Sequence, residues 1–175
     1  MRTTYVLKKQ LDILLALLNP VNRLICQVML HTGLRVNDVL QLKAAQLGRC
    51  FTVTEQKTGK KRRVGLPDWL TAEILKQSDG SVWAFPSPKD KRKHRTRQGV
   101  WRAVKKIARL CKFTGNTGTH SLRKVYAVQL MEKYHDVQHV QRALNHSNDT
   151  VTLLYALADQ LMQSVPQRRS VRPRR

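Results

Sequence analysis

Residues 50–66, CFTVTEQKTGKKRRVGL, interrupt a chain that otherwise reads as helix. Residues 50–56 and 62–66 are β-forming runs, and Lys57-Thr58-Gly59-Lys60-Lys61 between them reads as a hairpin turn with a cationic tip. A third strand is expected at residues 81–85 (SVWAF), stopped by Pro86, with a helix over residues 68–77 leading to it. Working outward toward the N-terminus, residues 7–18 carry a helical apolar pattern ended by Asn19-Pro20. Residues 21–32 form a second helix closed by Gly33, and residues 37–46 a short third one supplying Val39, Leu40 and Leu42 to a core. Toward the C-terminus, helices are expected at residues 97–111, 119–134, 137–144, 149–155 and 156–164. The fold class is α+β: a mainly helical domain with a small three-stranded antiparallel sheet. No internal repeat or long linker divides it, so residues 1–165 read as one domain. Residues 166–175, with Pro166, Pro173 and few apolar side chains, read as a disordered basic tail.

The composition narrows the partners. The chain has 175 residues with 33 Lys and Arg against 11 Asp and Glu, a net charge of +22. A hydrophobic content of 41% at this length can form a core without disulfide or metal staples. Such an excess of cations argues against an enzyme of small neutral metabolites and for a polyanion. Three clusters, residues 56–63, 89–97 and 167–175, each contribute +5. One such run is ordinarily a solvated face, but three in a short chain make a nucleic-acid footprint. The most apolar stretch, residues 11–34, is broken by Asp12, Asn19, Pro20, Asn22 and Arg23, so it does not read as a membrane span. It is not followed by a leader-cleavage site either, and a cytoplasmic protein, nucleoid-associated when bound to DNA, is expected. Cys26, Cys50 and Cys111 are odd in number and far apart, as suits reduced core thiols. His135 and His139 have metal-ligand spacing, yet no carboxylate or Cys accompanies them in a recognisable pattern. No metal or other cofactor is expected.

Phosphate-ester chemistry commonly uses metal ions held by clustered carboxylates. Here the eleven acids are scattered and no Asp-x-Asp pair exists. Charge on a reacting phosphate would therefore be neutralised by side-chain cations, and the planar, permanently charged guanidinium suits that task. Three segments set polar groups on apolar frames. In HTGLRVND (residues 31–38) a Gly-capped helix end projects Arg35, and Asp38, three residues on, can hold its guanidinium. In GTHSLRK (residues 118–124) Thr119 reads as an N-cap, with His120 and Arg123 on one face of the first turn. In LNHS (residues 144–147) His146 precedes Tyr155 by nine residues.

Together these segments resemble the tyrosine recombinase or phage integrase family. That family's signature is an Arg after T-G-L, a Lys on a β-hairpin, H-x-x-R, an L-G-H-like turn and a nucleophilic Tyr. TGLRVNDVLQL carries Arg35, EQKTGKKRRVGLP carries Lys57, THSLRKVYAVQL carries His120 and Arg123, and LNHSNDTVTLLYA carries His146 and Tyr155. The match spans residues 7–160. It implies a site-specific DNA recombinase or integrase. Tyr155 would attack a DNA phosphate to give a 3′-phosphotyrosyl bond and a free 5′-hydroxyl, without metal or ATP. Arg35, Arg123 and His146 would bind the nonbridging oxygens, Lys57 would protonate the leaving 5′-oxygen, and His120 would assist proton transfer at Tyr155. Asp38 would orient Arg35 without touching DNA.

Lys60, Lys61, Arg62 and Arg63 on the hairpin, Lys91, Arg92, Lys93, Arg95 and Arg97 in the second basic cluster, and Lys124 are the expected DNA contacts. Lys57 is preferred over Lys60 and Lys61 as the hairpin lysine because it stands before Thr58-Gly59. The family's glycine before the third-box histidine is Asn145 here, a residue that tolerates the left-handed turn. Tyr126, in an apolar helical run, reads as core, and Tyr5 and Tyr134, with no matching context, read as structural. Trp69, Trp83 and Trp101 read as core or half-buried. Family members usually carry a separate helical core-binding domain before the catalytic region. Only six residues precede the first expected helix here, so no such domain is expected within this sequence. It reads either as an unusually small recombinase or as the catalytic fragment of a longer one, and in both cases the basic loops and tail should supply grip. The expected partners are double-stranded DNA bearing a recombination site and further copies of the chain, as dimer or tetramer, with residues 156–164 docking in the assembly. Two rivals share the motifs: a type IB topoisomerase-like strand-passing enzyme, and an inactive descendant that only binds DNA.

Overall fold

Asn19 and Pro20 separate the first two helices, α1 (Lys8–Leu17) and α2 (Pro20–Thr32), in the computed structural model, which describes residues 3–144. The Asn19 side-chain oxygen accepts the Asn22 N–H at 2.8 Å, and Pro20 occupies the first helical position, where a missing N–H costs nothing. At the other end Gly33 adopts φ +64°, and its N–H donates to the Met29 carbonyl at 2.8 Å. α3 (Val36–Leu40) starts three residues later. The short helix expected over residues 37–46 is thus two pieces, α3 and a 3-10 turn at Ala44–Gln46, because the chain bends at Leu42 to bury that side chain.

β1 (Cys50–Thr54) and β2 (Lys61–Gly65) pair antiparallel, with Phe51 opposite Val64 and Val53 opposite Arg62. Their inner faces, Phe51, Val53, Val64 and then Leu66, are buried. The expected third strand is a correction. Residues 81–85 do not join the hairpin; they make one isolated bridge, Lys43 to Trp83, closed by Ala44 N–H to the Val82 carbonyl and Ala84 N–H to the Leu42 carbonyl, both 2.9 Å. Ala84 and Phe85 enter the core directly, so the run's apolar character reflects packing and not membership of a sheet.

α4 (Asp68–Ser78), α5 (Arg97–Leu110), α6 (Thr119–Tyr134) and α7 (Val137–Leu144) complete the described chain. α2 is central: Leu24, Ile25, Cys26, Val28 and Met29 are buried in one cluster with Leu70 and Ile74 of α4, Val104 of α5 and Leu122 and Val125 of α6. A smaller cluster joins Ala127 of α6 to Val140 and Leu144 of α7. Cys26 is a core thiol whose pKa burial pushes up to about 12. Cys50 is exposed and Cys111 half-buried, which corrects the expectation for those two; Cys50 lies on the outward face of β1. Among the described residues no helix is long and apolar enough to cross a membrane, and no group of three His, Cys, Asp or Glu could hold a metal ion. The helices expected at residues 149–155 and 156–164, and the tail, lie outside the described residues.

The seam between α2 and α6 fixes the site. A Cβ on Gly33 would stand 2.2 Å from Cδ1 of the Tyr126 ring, and the φ of +64° is itself strained for other residues. Gly33→Ala should therefore cost about 2–4 kcal/mol from overpacking and left-handed strain combined. A thermal melt should show a drop on the order of 5–15 °C at this size. A melting temperature equal to wild type would mean that Tyr126 moves aside at no cost.

Candidate functional site

Arg35 is the residue preceding the first turn of α3, in extended conformation (φ −72°, ψ 151°), so the Gly33 turn throws its side chain off the end of α2. Its guanidinium is held by Glu55, Nη1 to Oε2 at 2.7 Å, and the Glu55 side chain has 0% exposure. Asp38, expected to hold Arg35, does something else. It reaches from the first turn of α3 across to the hairpin, where Oδ1 accepts the Gln56 N–H at 3.0 Å. Spacing along one short helix suggested the pairing; the β1 end, brought in by the fold, supplies a better-placed carboxylate.

The hairpin tip is closed by Glu55 as well. Its N–H donates to the Lys60 carbonyl at 3.0 Å, and its own carbonyl accepts Thr58 N–H at 3.3 Å and Gly59 N–H at 2.8 Å. Gly59 takes φ +66° to complete the turn. Lys57 is left exposed on the rim of a cleft of about 690 Å³. Arg35, Lys57, Arg97, Trp101, Thr119 and His120 line that cleft together with Asp38 and Gln56. The start of α3, the hairpin tip, the start of α5 and the start of α6 thus meet there over Met29 of α2. Arg97 is delivered by Thr96, whose Oγ1 caps α5 by accepting Gly99 N–H at 3.2 Å.

α6 begins differently from the expectation. Gly118 is the residue before the helix and its N–H donates to Ser121 Oγ at 3.2 Å, while Thr119 is already inside the first turn and buried. His120 is exposed in the cleft. Arg123, 4% exposed, is not among the cleft-lining residues. Three residues fall about 60° short of a helical turn, enough to send one side chain outward and the other in. Arg123 donates to the carbonyls of Gly33 and Leu144. Arg62 mirrors it, donating to the carbonyls of Thr32 and Ala143. The two arginines therefore satisfy successive carbonyls at the C-terminal ends of α2 and α7, groups that helix geometry leaves without partners. This fixes the end of α7 against the end of α2. His146 and Tyr155 themselves lie outside the described residues.

Of the expected DNA contacts, Lys60, Lys61, Arg63, Lys91, Arg92, Lys93 and Arg97 are exposed. Arg63 Nε donates to Cys50 Sγ at 2.8 Å. Lys91 pairs with Asp79, and Arg92 and Lys93 with Asp90, all at the surface where such pairs contribute little and yield readily to a stronger anion. Three expectations are corrected. Arg62 is turned inward, with 10% side-chain exposure and its Nε 3.7 Å from Glu55. Arg95 is half-buried, its Nε enclosed, and burial lowers its pKa. Lys124 donates to the Thr3 carbonyl and so straps the N-terminal segment to α6.

The aromatic residues also sort. Trp101 is 47% exposed in the cleft with Lys105 over its ring, and Trp69 is 51% exposed beside His31, so neither is core; Trp83 is half-buried. Tyr126 is half-buried, and burial pushes its phenol above the ordinary value although Arg62 and Arg123 pull the other way. Tyr134 is 45% exposed and stacked on His139. Glu55 is the functional candidate the sequence reading passed over. Its signal was present: position 55 continues the inward alternation of Phe51 and Val53, and a carboxylate on an inward face beside a cationic turn needs a buried partner.

Comparison with known proteins gives a consistent picture. The sequence profile of the phage integrase family matches residues 4–161. The probable integrase/recombinase YoeC of Bacillus subtilis (strain 168) is 31% identical over 136 residues, 75% of this chain and 74% of that protein. Tyrosine recombinase XerA of Pyrococcus furiosus is 30% identical over 142 residues, 77% of this chain but 49% of the relative. The XerH site-specific recombinase, solved on palindromic difH substrate after cleavage, superposes with a TM-score of 0.71 at 22% identity, over 92% of this chain and 52% of that one. The chain thus spans about half the length of XerA and of the solved XerH chain. The XerH likeness shows the fold, a mainly helical catalytic domain with a small antiparallel sheet.

Proposed function

This chain belongs to the phage integrase family of tyrosine recombinases, and on that premise we propose that it cuts and rejoins DNA at a specific site through a 3′-phosphotyrosyl intermediate. The observation that carries the reading is the convergence of Arg35, Lys57 and His120 on one cleft from three distant segments. In the proposed step the Tyr155 oxygen forms a bond to phosphorus while the bond from phosphorus to the 5′-oxygen breaks. The 5′-oxygen takes the electron pair and a proton from Lys57, and the phenol proton passes to His120. Arg35 and His146 neutralise the nonbridging oxygens as charge builds. Arg123 joins them by exchanging a carbonyl for a phosphate oxygen, which its five N–H donors permit. A 5′-hydroxyl later reverses the attack, so bond energy is conserved and neither ATP nor a metal ion is used. Charge of this kind, fixed in advance around the transition state, is commonly worth about 3–4 kcal/mol per donor.

Residues 1–165 would be the catalytic domain and residues 166–175 a phosphate-binding tail. The partners would be duplex DNA and further copies of the chain, in the cytoplasm on the nucleoid. The test is a nicked suicide duplex built from inverted repeats flanking the gene, incubated in chelator and run on a denaturing gel. A covalent protein–DNA band is expected. Absence of a band with every flanking repeat, with duplex binding retained, would make the chain a binding module. Relaxation of supercoiled plasmid irrespective of sequence would make it a strand-passing enzyme.

Binding should depend steeply on salt. The logarithm of affinity should fall with the logarithm of salt concentration by about 0.9 per neutralised phosphate. Deleting residues 167–175, five cations, should flatten that slope by up to about 4.5. An unchanged slope in filter binding would assign the tail another use.

A further inference from the structure

We propose that Glu55 is a positioning residue of this site: its carboxylate holds the Arg35 guanidinium in fixed relation to the turn that carries Lys57. The inference rests on the reading that Arg35 and Lys57 act on one phosphate. Neither the family signature nor the charge pattern points to Glu55; the structure does.

Three observations support it. First, Glu55 has 0% exposure, and a buried carboxylate is costly unless it is paired. Its Oε2 is 2.7 Å from Arg35 Nη1, and its Oε1 is 3.7 Å from Arg62 Nε, so it sits between two guanidinium groups. Second, the backbone of the same residue makes the turn, through the bonds to Lys60, Thr58 and Gly59 given above, and Thr58 Oγ1 lies 3.5 Å from Oε2. Lys57 is only two residues further on. Third, the bridge is reciprocal. Glu55 reaches from the hairpin to Arg35 at the start of α3, while Asp38 reaches from α3 back to the N–H of Gln56. Two carboxylates of opposite direction thus lock the two cation-bearing elements together.

The physical purpose follows from the geometry of a guanidinium. Its planar fork binds phosphate oxygens well only in one orientation, and a long side chain without support loses most of that advantage to rotamer freedom. An arginine supported by a buried carboxylate is held in one orientation relative to the cleft it lines. Arg62 strengthens the support, because its own guanidinium is fixed to the ends of α2 and α7 and so anchors the second carboxylate oxygen by attraction at short range.

The test uses the full chain and the suicide duplex. Glu55→Gln keeps the side-chain shape and removes the charge. We expect single-turnover cleavage to fall about a hundredfold, the size of loss typical when one donor at a developing oxyanion is disabled, while the duplex Kd changes less than threefold. The variant is then combined with Arg35→Ala. If Glu55 acts through Arg35, the double variant cleaves no more slowly than Arg35→Ala alone; independent roles would multiply. Cleavage by Glu55→Gln within threefold of wild type, or multiplied losses in the double variant, overturns the proposal. Should Glu55→Gln lose its cooperative thermal melt, Glu55→Asp decides. That variant keeps the charge but withdraws it by one methylene, so slower cleavage at unchanged Kd is expected and a wild-type rate counts against us. A wild-type chain that forms no adduct defeats the phosphotyrosyl reading, and this proposal with it. Normal wild-type cleavage with an unaffected Glu55→Gln defeats the positioning role alone.

Discussion

A Tyr155→Phe chain is expected to bind duplex DNA as tightly as wild type and to form no covalent adduct, a loss of roughly 10⁴-fold or more when a nucleophile is removed. Phenylalanine keeps the ring and deletes only the oxygen that would bond to phosphorus, so binding and folding serve as internal controls. The specificity of the result depends on the other tyrosines. A phenol with a pKa of about 10 attacks slowly at neutral pH and gains from surroundings that favour phenolate. Tyr126 has the opposite setting: burial raises its pKa, and its ring is packed on Gly33 at the α2 to α6 seam. Tyr5 is raised by burial and further by Glu132. Tyr134 is stacked on His139 outside the cleft. Tyr126→Phe should accordingly leave the adduct intact. If instead the Tyr155→Phe chain still gives an adduct and Tyr126→Phe does not, the nucleophile is misassigned.

Helix boundaries were legible in this sequence wherever local chemistry sets them. Asn19-Pro20 and Gly33 mark their helix ends because a side-chain cap, a missing N–H and a left-handed turn are properties of single residues. The hairpin was equally legible from its β-forming runs and the Thr58-Gly59 turn. What the sequence does not carry is the identity of partners. Residues 81–85 look like a strand, but local propensity says nothing about which segment they meet, and they meet residues 42–44. The same limit applies to cations. Arg62 and Arg63 are adjacent and chemically alike, yet one is half-buried and turned in against helix ends and the other exposed, as the alternation of β2 dictates. Lys124 looked like a DNA contact beside Arg123, and its fate was decided by Thr3, 121 residues away. The task expected of Asp38, holding Arg35, falls to Glu55 for the same reason. Intrahelical spacing was visible in the sequence, whereas the approach of β1 to α3 belongs to the fold. Of the six residues the family resemblance singles out, Arg35, Lys57 and His120 line one cleft, Arg123 is buried outside its lining, and His146 and Tyr155 lie outside the described residues.

The Lys57→Ala chain should cleave an ordinary phosphodiester about 10²–10⁴ times more slowly than wild type, the usual contribution of a general acid. The loss should largely disappear on a duplex whose scissile 5′-oxygen is replaced by sulfur. The argument turns on the leaving group. An alkoxide leaving at neutral pH needs a proton as the bond to phosphorus breaks, because its conjugate acid is about as weak an acid as water. A thiolate, with a conjugate-acid pKa of about 8.5, departs without one. Sulfur therefore substitutes for a proton donor and for nothing else: it does not replace a cation that binds nonbridging oxygens. The structure makes the contrast sharp. Lys57 stands on the cleft rim with Arg35 and His120, held there by the Glu55 turn, while Lys60 and Lys61 lie at the exposed tip and are not among the cleft-lining residues. Lys60→Ala and Lys61→Ala should lower affinity in a salt-dependent way and leave the single-turnover rate at saturating DNA unchanged. Arg35→Ala should remain slow on both duplexes. If sulfur fails to rescue Lys57→Ala, the lysine serves the phosphate and not the leaving oxygen, and the source of the proton must be sought at His120, the other titratable group that the start of α6 delivers to the cleft.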